Sequence, residues 1–554
     1  MTTPAAEPRE PHHTHEVKNQ PPPLENYNAF TENRPLVEAV QREGGGWIQE
    51  RAAQLGALAG SREVIQWGFD ANEFKPQLET HDRFGHRLDE VRFHPAWHHL
   101  MRTGVEYGLH ALPWRTKEKG GHVARAALFM TLTTAEAGFG CPISMTYSGV
   151  AALRADPQVA AEWEPRLTST EYDPRLLPAS QKTGALCGMA MTEKQGGSDV
   201  RANSTTAAPI GEGAYLLKGH KWFCSAPMCD AFLTLAQAPG GLTCFLVPRF
   251  LPDGTKNRFF LQRLKDKLGN RSNASSEIEY DDTWARRIGE EGRGVPTIIE
   301  MVNHTRLDCV LGSATLMRQG VAQATHHAAY RSAFGRTLID QPLMQNVLAD
   351  LCVESEAATL TALRLARAYD SAKESAQELA FRRVATAVSK YWVCKRAPVH
   401  AGEALECLGG NGYVEPSGLP RLYREAPVNS VWEGSGNVIC LDVLRAMIKS
   451  PDSVEAFFIE VDAAARTERR LAVFVDHLKK DFTDLEGIES RARRLVEKMA
   501  LALQGALLVQ HGDPSTTEAF VGSRLEGDWG HAFGTLPAKA DFQKIIDRHR
   551  PRLA

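Results

Sequence analysis

The sequence predicts an α+β chain, mostly α. A helical domain, a central antiparallel β-barrel or sandwich and a helical bundle follow one another, and an extra helical domain closes the chain. Three observations carry this reading. Apolar residues recur at helical spacing before Thr183 and again after Gly294, and short β-type runs fill the interval between them. At 554 residues the chain exceeds one ordinary core, so several layers or domains are expected.

Residues 1–32 open with Met1-Thr2-Thr3-Pro4, are rich in Pro, Glu and His, and lack an apolar signal core. They read as a flexible or surface-draped arm. Residues 33–182 show helical apolar spacing in Leu36-Val37-Val40 and Val123-Ala127-Met130, the pattern of helices with one buried face. His94, His98 and His99 invite a metal reading, but on a helix they do not converge on one face. The β-type runs of 183–290 are Gly184 to Met191, Tyr215 to Lys218, Lys221 to Cys224, Phe232 to Gln237, Thr243 to Pro248 and Glu277 to Tyr280. Turns such as Pro239-Gly240-Gly241 separate them, and such density without helices argues a compact barrel or sandwich. In 291–449, Val295, Ile298, Ile299 and Val302 sit at i, i+3, i+4, i+7, and Leu343, Val347 and Leu351 recur every four residues. Long antiparallel helices of this kind form a four-helix bundle. Residues 450–554 are helical through Leu471-Val475-Leu478 and Leu495-Met499-Leu503-Leu507.

Composition removes several functions. A formal charge of −3 gives no bulk pull toward nucleic acid or anionic membrane. The ten cysteines stand singly, with no CxxC and no Cys/His cluster at zinc spacing. That pattern points to a reduced, cytoplasmic and metal-free protein. No run reaches the roughly 18 apolar residues that a membrane helix needs.

The chemistry-bearing stretches lie late in these elements. Met191-Thr192-Glu193-Lys194-Gln195-Gly196-Gly197-Ser198-Asp199 ends a β-run, and its paired glycines let amide N–H groups and the Thr192 and Ser198 hydroxyls point at one electron-rich ligand. Asn429-Ser430-Val431-Trp432-Glu433-Gly434-Ser435-Gly436-Asn437 sets a carboxylate beside an aromatic residue, then a glycine turn that packing does not explain. Alone, such a Glu is ordinarily solvated.

Five stretches in order, spanning about residues 90 to 445, resemble the acyl-CoA dehydrogenase flavoproteins: the loop at Met191, Gly219-His220-Lys221-Trp222-Phe223-Cys224-Ser225, Arg331-Ser332-Ala333-Phe334-Gly335 with Gln341, Glu406-Cys407-Leu408-Gly409-Gly410-Asn411-Gly412-Tyr413, and the stretch around Glu433. The resemblance implies FAD and an acyl-CoA thioester substrate. It assigns Met191, Thr192, Gly197 and Ser198 to the flavin pyrimidine, and Trp222, Cys224 and Ser225 to the flavin ring. In this family a Thr or Ser stands where Cys224 stands here. It assigns Arg331 to the pyrophosphate of a neighbouring subunit's flavin and Phe334 to its adenosine, with Gln341, Glu406, Gly409, Gly410, Ser435 and Asn437 completing the cofactor set. It makes Glu433 the base that removes an α-proton while a β-hydride moves to the flavin. Some relatives carry the base just before an Arg on an earlier helix; here that pair is Thr305-Arg306, and Arg306 is expected to orient substrate or pair with Glu433.

Longer strings, including Arg263-Leu264-Lys265-Asp266-Lys267-Leu268-Gly269-Asn270-Arg271-Ser272-Asn273, resemble the branch of this family tied to the adaptive response to DNA alkylation. That branch implies a homotetramer, weak dehydrogenase activity and a C-terminal domain on double-stranded DNA. The alternative is chiefly a sequence-nonspecific DNA-binding flavoprotein with vestigial catalysis. Beyond Ser450 the chain holds 15 Lys/Arg and 17 Asp/Glu, so DNA must be met by local clusters. Arg445 and the set Arg466, Arg469 and Arg470 are the expected contacts, the three arginines lying on one helical face at i, i+3, i+4.

Overall fold

The computed structural model describes residues 14–484 and 486–553. The first thirteen residues of the expected arm lie outside that range. The rest of the arm is not all draped: Leu24, Tyr27, Ala29 and Phe30 are buried, so the core of the helical domain begins before Asn33.

Helices α1 (Arg34–Arg42), α2 (Gln49–Ala59), α3 (Arg62–Glu73), α4 (Pro95–Glu106), α5 (Gly121–Leu132), α6 (Gly140–Leu153) and α7 (Pro157–Leu167) build the first domain. Helices α5 and α6 are buried along nearly their whole length. A hairpin, β1 (Gln77–His81) and β2 (Arg87–Arg92), interrupts this helical region. Periodicity missed it because its stabilising partner is distant. Asp89 accepts the Leu261 N–H at 3.1 Å, and Arg87 donates to the Leu261 carbonyl at 2.7 Å.

The β-domain comprises β3 (Cys187–Ala190), β4 (Thr206–Gly211), β5 (Ala214–Ser225), β6 (Ala231–Ala238), β7 (Gly241–Pro248), β8 (Phe259–Leu264) and β9 (Ser275–Ile288). Two of the expected runs, Tyr215 to Lys218 and Lys221 to Cys224, merge into β5, whose irregular register against β9 re-aims residues near Trp222. The order β3-β5-β4-β6-β7-β9-β8 with β5 also on β9 curls the sheet toward a barrel. Its pairing is antiparallel except that β6 runs parallel to β3 and touches β4 in the same sense.

The long helices α8 (Gly294–Tyr330), α9 (Pro342–Ser371), α10 (Ala376–Glu406) and α11 (Gly436–Lys449) pack on one another. A small hairpin, β10 (Ser332–Ala333) and β11 (Arg336–Thr337), caps the end of α8. Helices α12 (Pro451–Ala465) and α14 (Ile488–His511) lie against the bundle helices, α13 (Arg469–Thr483) packs on α12 and α14, and α15 (Phe542–His549) lies against α8 and α9.

Buried ion pairs fasten this last block. Arg524 bonds Asp350 and Glu354, Arg396 bonds Glu354 at 3.2 Å, and the His549 ring lies 3.0 Å from Glu356. Burial alone would raise the two glutamates, yet Arg396 and Arg524 hold Glu354 at about 2, and His549 and Arg548 hold Glu356 at about 2. Burial alone would lower His549, but Cys352 and Glu356 lift it to about 10. The depressed glutamates stabilise above their ordinary 4.5 and cease to do so as pH falls toward 2. The raised histidine stabilises fully below its ordinary 6.5, and that contribution fades as pH climbs to about 10. Thermal melts across pH should therefore show greatest stability between about 4.5 and 6.5 from these groups, and His549→Gln should flatten the alkaline limb.

Candidate functional site

The turn holding Glu433 is conformationally unusual. Glu433 has φ +58° and Gly434 φ +104°, and a left-handed non-glycine residue persists only where its surroundings enforce it. The enforcement is visible. Arg306 on α8 donates its Nε to the Glu433 carbonyl at 3.0 Å, and Lys390 on α10 donates its Nζ to the Gly434 carbonyl. Asp442, in the second turn of α11, anchors Arg306 at 2.9 Å and Arg383 at 2.9 Å. Burial would raise Asp442, but these two guanidinium groups hold it below the usual carboxylate range. Two cations drawn from two bundle helices thus clamp successive carbonyls, and the Glu433 side chain is left to project elsewhere.

Burial pushes the Glu433 carboxyl above its usual range, and a hydrogen bond from Thr305 with the charges of Arg306 and Lys390 pulls it part of the way back. Thr305 and Arg306 are the pair at the alternative base position; the first meets the carboxyl and the second its main chain. Arg306 therefore does not pair with the Glu433 carboxylate as the sequence suggested, because Asp442 and the turn carbonyl engage its guanidinium. Trp432 is fixed by its indole N–H, 3.1 Å from the Asn429 side-chain oxygen, and Asn429 in turn bonds Ser313 at 3.1 Å.

Residues not singled out in the sequence complete the surroundings. Cys141, at the start of α6, hydrogen-bonds Ser225 and Asn273 and senses the charges of Lys267 and Glu433; burial pushes its thiol up to about 11. Lys267 donates to the Asn273 carbonyl at 2.7 Å and to Ser275 Oγ at 3.1 Å, and burial lowers it to about 8. Two signals pointed to such residues: Lys267 sits in the string quoted for the family branch, and Lys390 stands alone in an apolar helical run. Cys141 carried no local signal.

On the β-domain side, Trp222 is half-buried with its main-chain N–H on the Thr192 carbonyl at 2.7 Å. Lys265 Nζ lies 3.2 Å from the Trp222 ring centroid, held there by Glu277 at 2.7 Å. Cys224 is fully buried, and burial raises its thiol to about 12. The Cys224 side chain lies in the β-domain core and does not face the site as expected; β5 shifts register against β9 between Lys221 and Cys224, which breaks the regular alternation there. Ser225 is the hydroxyl that reaches Cys141.

The loop from Met191 to Ser198 is half-open, and Glu193 is its fastening. Glu193 and Lys221 form a fully buried ion pair at 2.8 Å, and Glu193 also accepts from Ser204 N at 2.6 Å and Thr205 N at 3.1 Å. Asn203 holds the Met191 carbonyl at 3.1 Å. Gly196 has φ +146°, and a Cβ on Gly197 would stand 2.4 Å from Thr192 Oγ1, so only glycine keeps that hydroxyl and the loop amides around one small concavity. Ser198 is exposed on the same loop.

At the other end of α8, Arg331 and Ser332 lead into the β10–β11 hairpin. Gln341 Nε2 braces it through the Ala333 carbonyl at 2.9 Å, and Phe334 projects from its tip at φ +52° and 99% exposed. Glu406, Gly409 and Gly410 are exposed, and a Cβ on either glycine would meet nothing within 4 Å. Ser435 precedes the first turn of α11, and Asn437 accepts from Arg493 of the last block at 2.8 Å.

The arginine stripe is not assembled as expected. Helix α12 ends at Ala465 and α13 begins at Arg469, so Arg466 lies in the turn and the three arginines share no helical face. The break follows from Glu468, whose side chain accepts the Arg470 N–H and caps α13. Arg470 is held by Glu468 at 2.9 Å and Glu518 at 2.7 Å. Arg445, Arg466 and Arg469 are exposed, and Arg445 reaches Asp442 only at 3.5 Å. Among the described residues no His/Cys/Asp/Glu group could hold a metal ion, and no helix is long and apolar enough to cross a membrane.

Comparison with known proteins matches three family descriptions: Adaptive response protein AidB N-terminal domain over residues 19–174, acyl-CoA dehydrogenase middle domain over 188–283, and acyl-CoA dehydrogenase C-terminal domain over 292–448. The putative acyl-CoA dehydrogenase AidB of Escherichia coli (strain K12) is 45% identical over 513 residues, covering 92% of this chain and 94% of its own. Acyl-CoA dehydrogenase family member 11 of Caenorhabditis elegans is 32% identical, covering 82% and 79%. The crystal structure of Caenorhabditis elegans ACDH-11 in complex with C11-CoA superposes with a TM-score of 0.84 at 28% identity, covering 94% of this chain and 93% of that one.

Proposed function

The chain belongs to the acyl-CoA dehydrogenase family of oxidoreductases, and from that premise we propose that Glu433 is the base that removes the α-proton of an acyl-CoA thioester in an FAD-dependent dehydrogenation. The observation that carries this is the clamped turn: a half-buried carboxyl, raised above its usual range and presented at φ +58° by Arg306 and Lys390. The relative crystallised with C11-CoA supports the thioester class.

FAD, when bound, supplies the hydride acceptor. The loop residues Met191, Thr192, Gly197 and Ser198 would hold its pyrimidine side and Trp222 with Ser225 would cover its ring. Arg331, Phe334, Gln341, Glu406, Gly409, Gly410, Ser435 and Asn437 would hold the rest. The glycine concavity at Thr192 and the open space above Gly409 and Gly410 fit such a group. Glu433 takes the α-proton on its carboxylate, and its main-chain N–H polarises the thioester oxygen where enolate charge develops. Thr305 steadies the carboxyl, and Arg306 acts as a positioning residue through the turn rather than by touching substrate. The acyl group of this reading is short or branched, with Trp432 beside Glu433 as the bulky residue that would limit its length. Anaerobic titration with a panel of acyl-CoA thioesters should bleach the flavin absorbance; an intact flavin with every thioester would overturn the assignment.

Exposed apolar side chains support a homotetramer: Phe334 at 99%, Leu343 at 84% and Tyr413 at 81% exposure are surface that such an assembly would cover. The ten free thiols fit a reducing cytoplasm.

Association with double-stranded DNA rests on fewer residues than the sequence implied, namely Arg445, Arg466 and Arg469. With Arg470 neutralised by Glu468 and Glu518, the contact would be a weak phosphate contact without sequence preference. Gel shift at low salt should show binding that fades steeply as salt rises. Arg466→Ala with Arg469→Ala should lower the slope of log affinity against log salt by about 2; no shift of duplex DNA at low salt removes this reading.

A further inference from the structure

The arm residues Asn19 to Pro22 have no place in the chemistry above, yet their hydrogen bonds converge on the two stretches read as the cradle of the cofactor's nucleotide half. Asn19 pairs with Ser332 as a strand would: its side-chain Nδ2 donates to the Ser332 carbonyl at 2.8 Å, and its Oδ1 accepts the Ser332 N–H at 2.8 Å. The Asn19 carbonyl accepts from Arg331 Nη1 at 2.5 Å. Gln20 accepts from the Asn411 side chain at 3.4 Å, and the Pro22 carbonyl bonds the His326 ring at 2.8 Å. Three residues within four positions, Asn19, Gln20 and Pro22, thus tie the end of α8, the root of the β10–β11 hairpin and the glycine segment after α10 to one strap.

This arrangement has a specific local cause. Asn19 sits at φ +58°, a conformation that Asn tolerates better than most residues. In that conformation its side chain and its own carbonyl bond the adjacent residues Ser332 and Arg331. Arg331 is thereby fixed through one terminal nitrogen, which leaves the other nitrogens of its planar fork for an oxyanion. Two of the ties are to main chain, so they set the hairpin's path rather than only a rotamer.

We propose that Asn19 is a positioning residue for flavin-nucleotide binding: the strap pre-orders Arg331 and the segment around Asn411 to receive the pyrophosphate and adenosine half of FAD. This rests on the FAD reading above. It differs from that reading in assigning a role to the arm, which touches the cofactor's holders and not the cofactor. The expected signature is selective, because FMN lacks the nucleotide half that the strap serves.

The test is titration of the flavin-depleted full chain with FAD and, separately, with FMN, followed by flavin fluorescence. Asn19→Gly keeps the left-handed backbone and removes both side-chain bonds. It should weaken FAD about 10-fold, the scale of two exposed hydrogen bonds, and leave FMN unchanged. Asn19→Asp keeps the acceptor for the Ser332 N–H and should recover part of the loss. Unchanged thermal melting of both variants separates this role from a folding defect. Equal weakening of FAD and FMN, or unaltered FAD affinity in a glycine variant whose parent binds FAD, overturns the strap alone. A parent chain that binds neither flavin overturns the strap together with the reading on which it rests.

Discussion

Replacing Glu433 with Gln should lower the rate of acyl-CoA-dependent flavin reduction by about 10²-fold or more, the scale of losing a positioned general base. The substitution is nearly isosteric, and the turn is held by its main chain: the Arg306 and Lys390 contacts run to the carbonyls of Glu433 and Gly434 and do not involve the carboxyl. The variant should therefore fold, bind flavin and bind thioester while failing at proton removal. The wild-type rate should rise with pH as the carboxyl deprotonates, with a midpoint above the ordinary value of 4.5 because burial disfavours the charged form. The Gln variant should lack that limb. Stopped-flow reduction under anaerobic conditions measures both; a Gln variant that reduces its flavin at the parental rate would remove Glu433 from the mechanism. Arg306→Ala makes a contrasting case. It frees the left-handed turn and leaves Asp442 with one cation fewer, so both rate and stability should fall, whereas Glu433→Gln should spare stability.

Glu193→Ala should cost about 3–5 kcal/mol of stability, the penalty for stranding one member of a buried ion pair. Neither partner is exposed, and among the described residues Lys221 has one further acceptor, the Leu235 carbonyl at 2.8 Å. Burial would raise Glu193, but Lys221 with Thr205 and Gln195 holds its carboxyl well below the usual range. A depressed carboxylate contributes stability above its ordinary 4.5 that is lost as pH falls through the folded value; the wild type should therefore outlast the variant most clearly near neutral pH. Because Glu193 also fastens Ser204 and Thr205, the loop from Met191 to Ser198 should loosen and flavin affinity drop together with stability. Denaturant unfolding monitored by the β-domain tryptophans gives the first quantity and flavin titration the second. The double substitution Glu193→Leu, Lys221→Met removes both charges and should cost less than the sum of the single changes. Additive losses would show that the pair is not coupled.

The contrast between these two carboxylates marks where sequence reasoning reached and where it stopped. Glu193 and Glu433 both stand in recognisable motifs, and the family resemblance assigns the base role to Glu433, but nothing local marks Glu193 as a structural fastener. The distinction comes from partners 28 residues away in one case and 127 in the other. The same limit explains Cys224 and Ser225: strand alternation is local, yet which of two neighbours faces the site depends on the shifted register between β5 and β9. It also explains the hairpin β1–β2, stabilised from β8, and the arginine stripe, divided by the Glu468 cap.

By itself the sequence determined the succession of helical, β and helical regions, because hydrophobic period is a property of neighbours along the chain. It also determined the motif set that includes Glu433, because a glycine turn and its carboxylate are contiguous. Only the tertiary structure decided that Arg306 serves the Glu433 main chain, that Cys141 and Lys267 join the site, and that the arm lies on Arg331. Each of those facts is a contact between segments far apart in sequence, and what a buried charge does is set by the partners that folding brings to it.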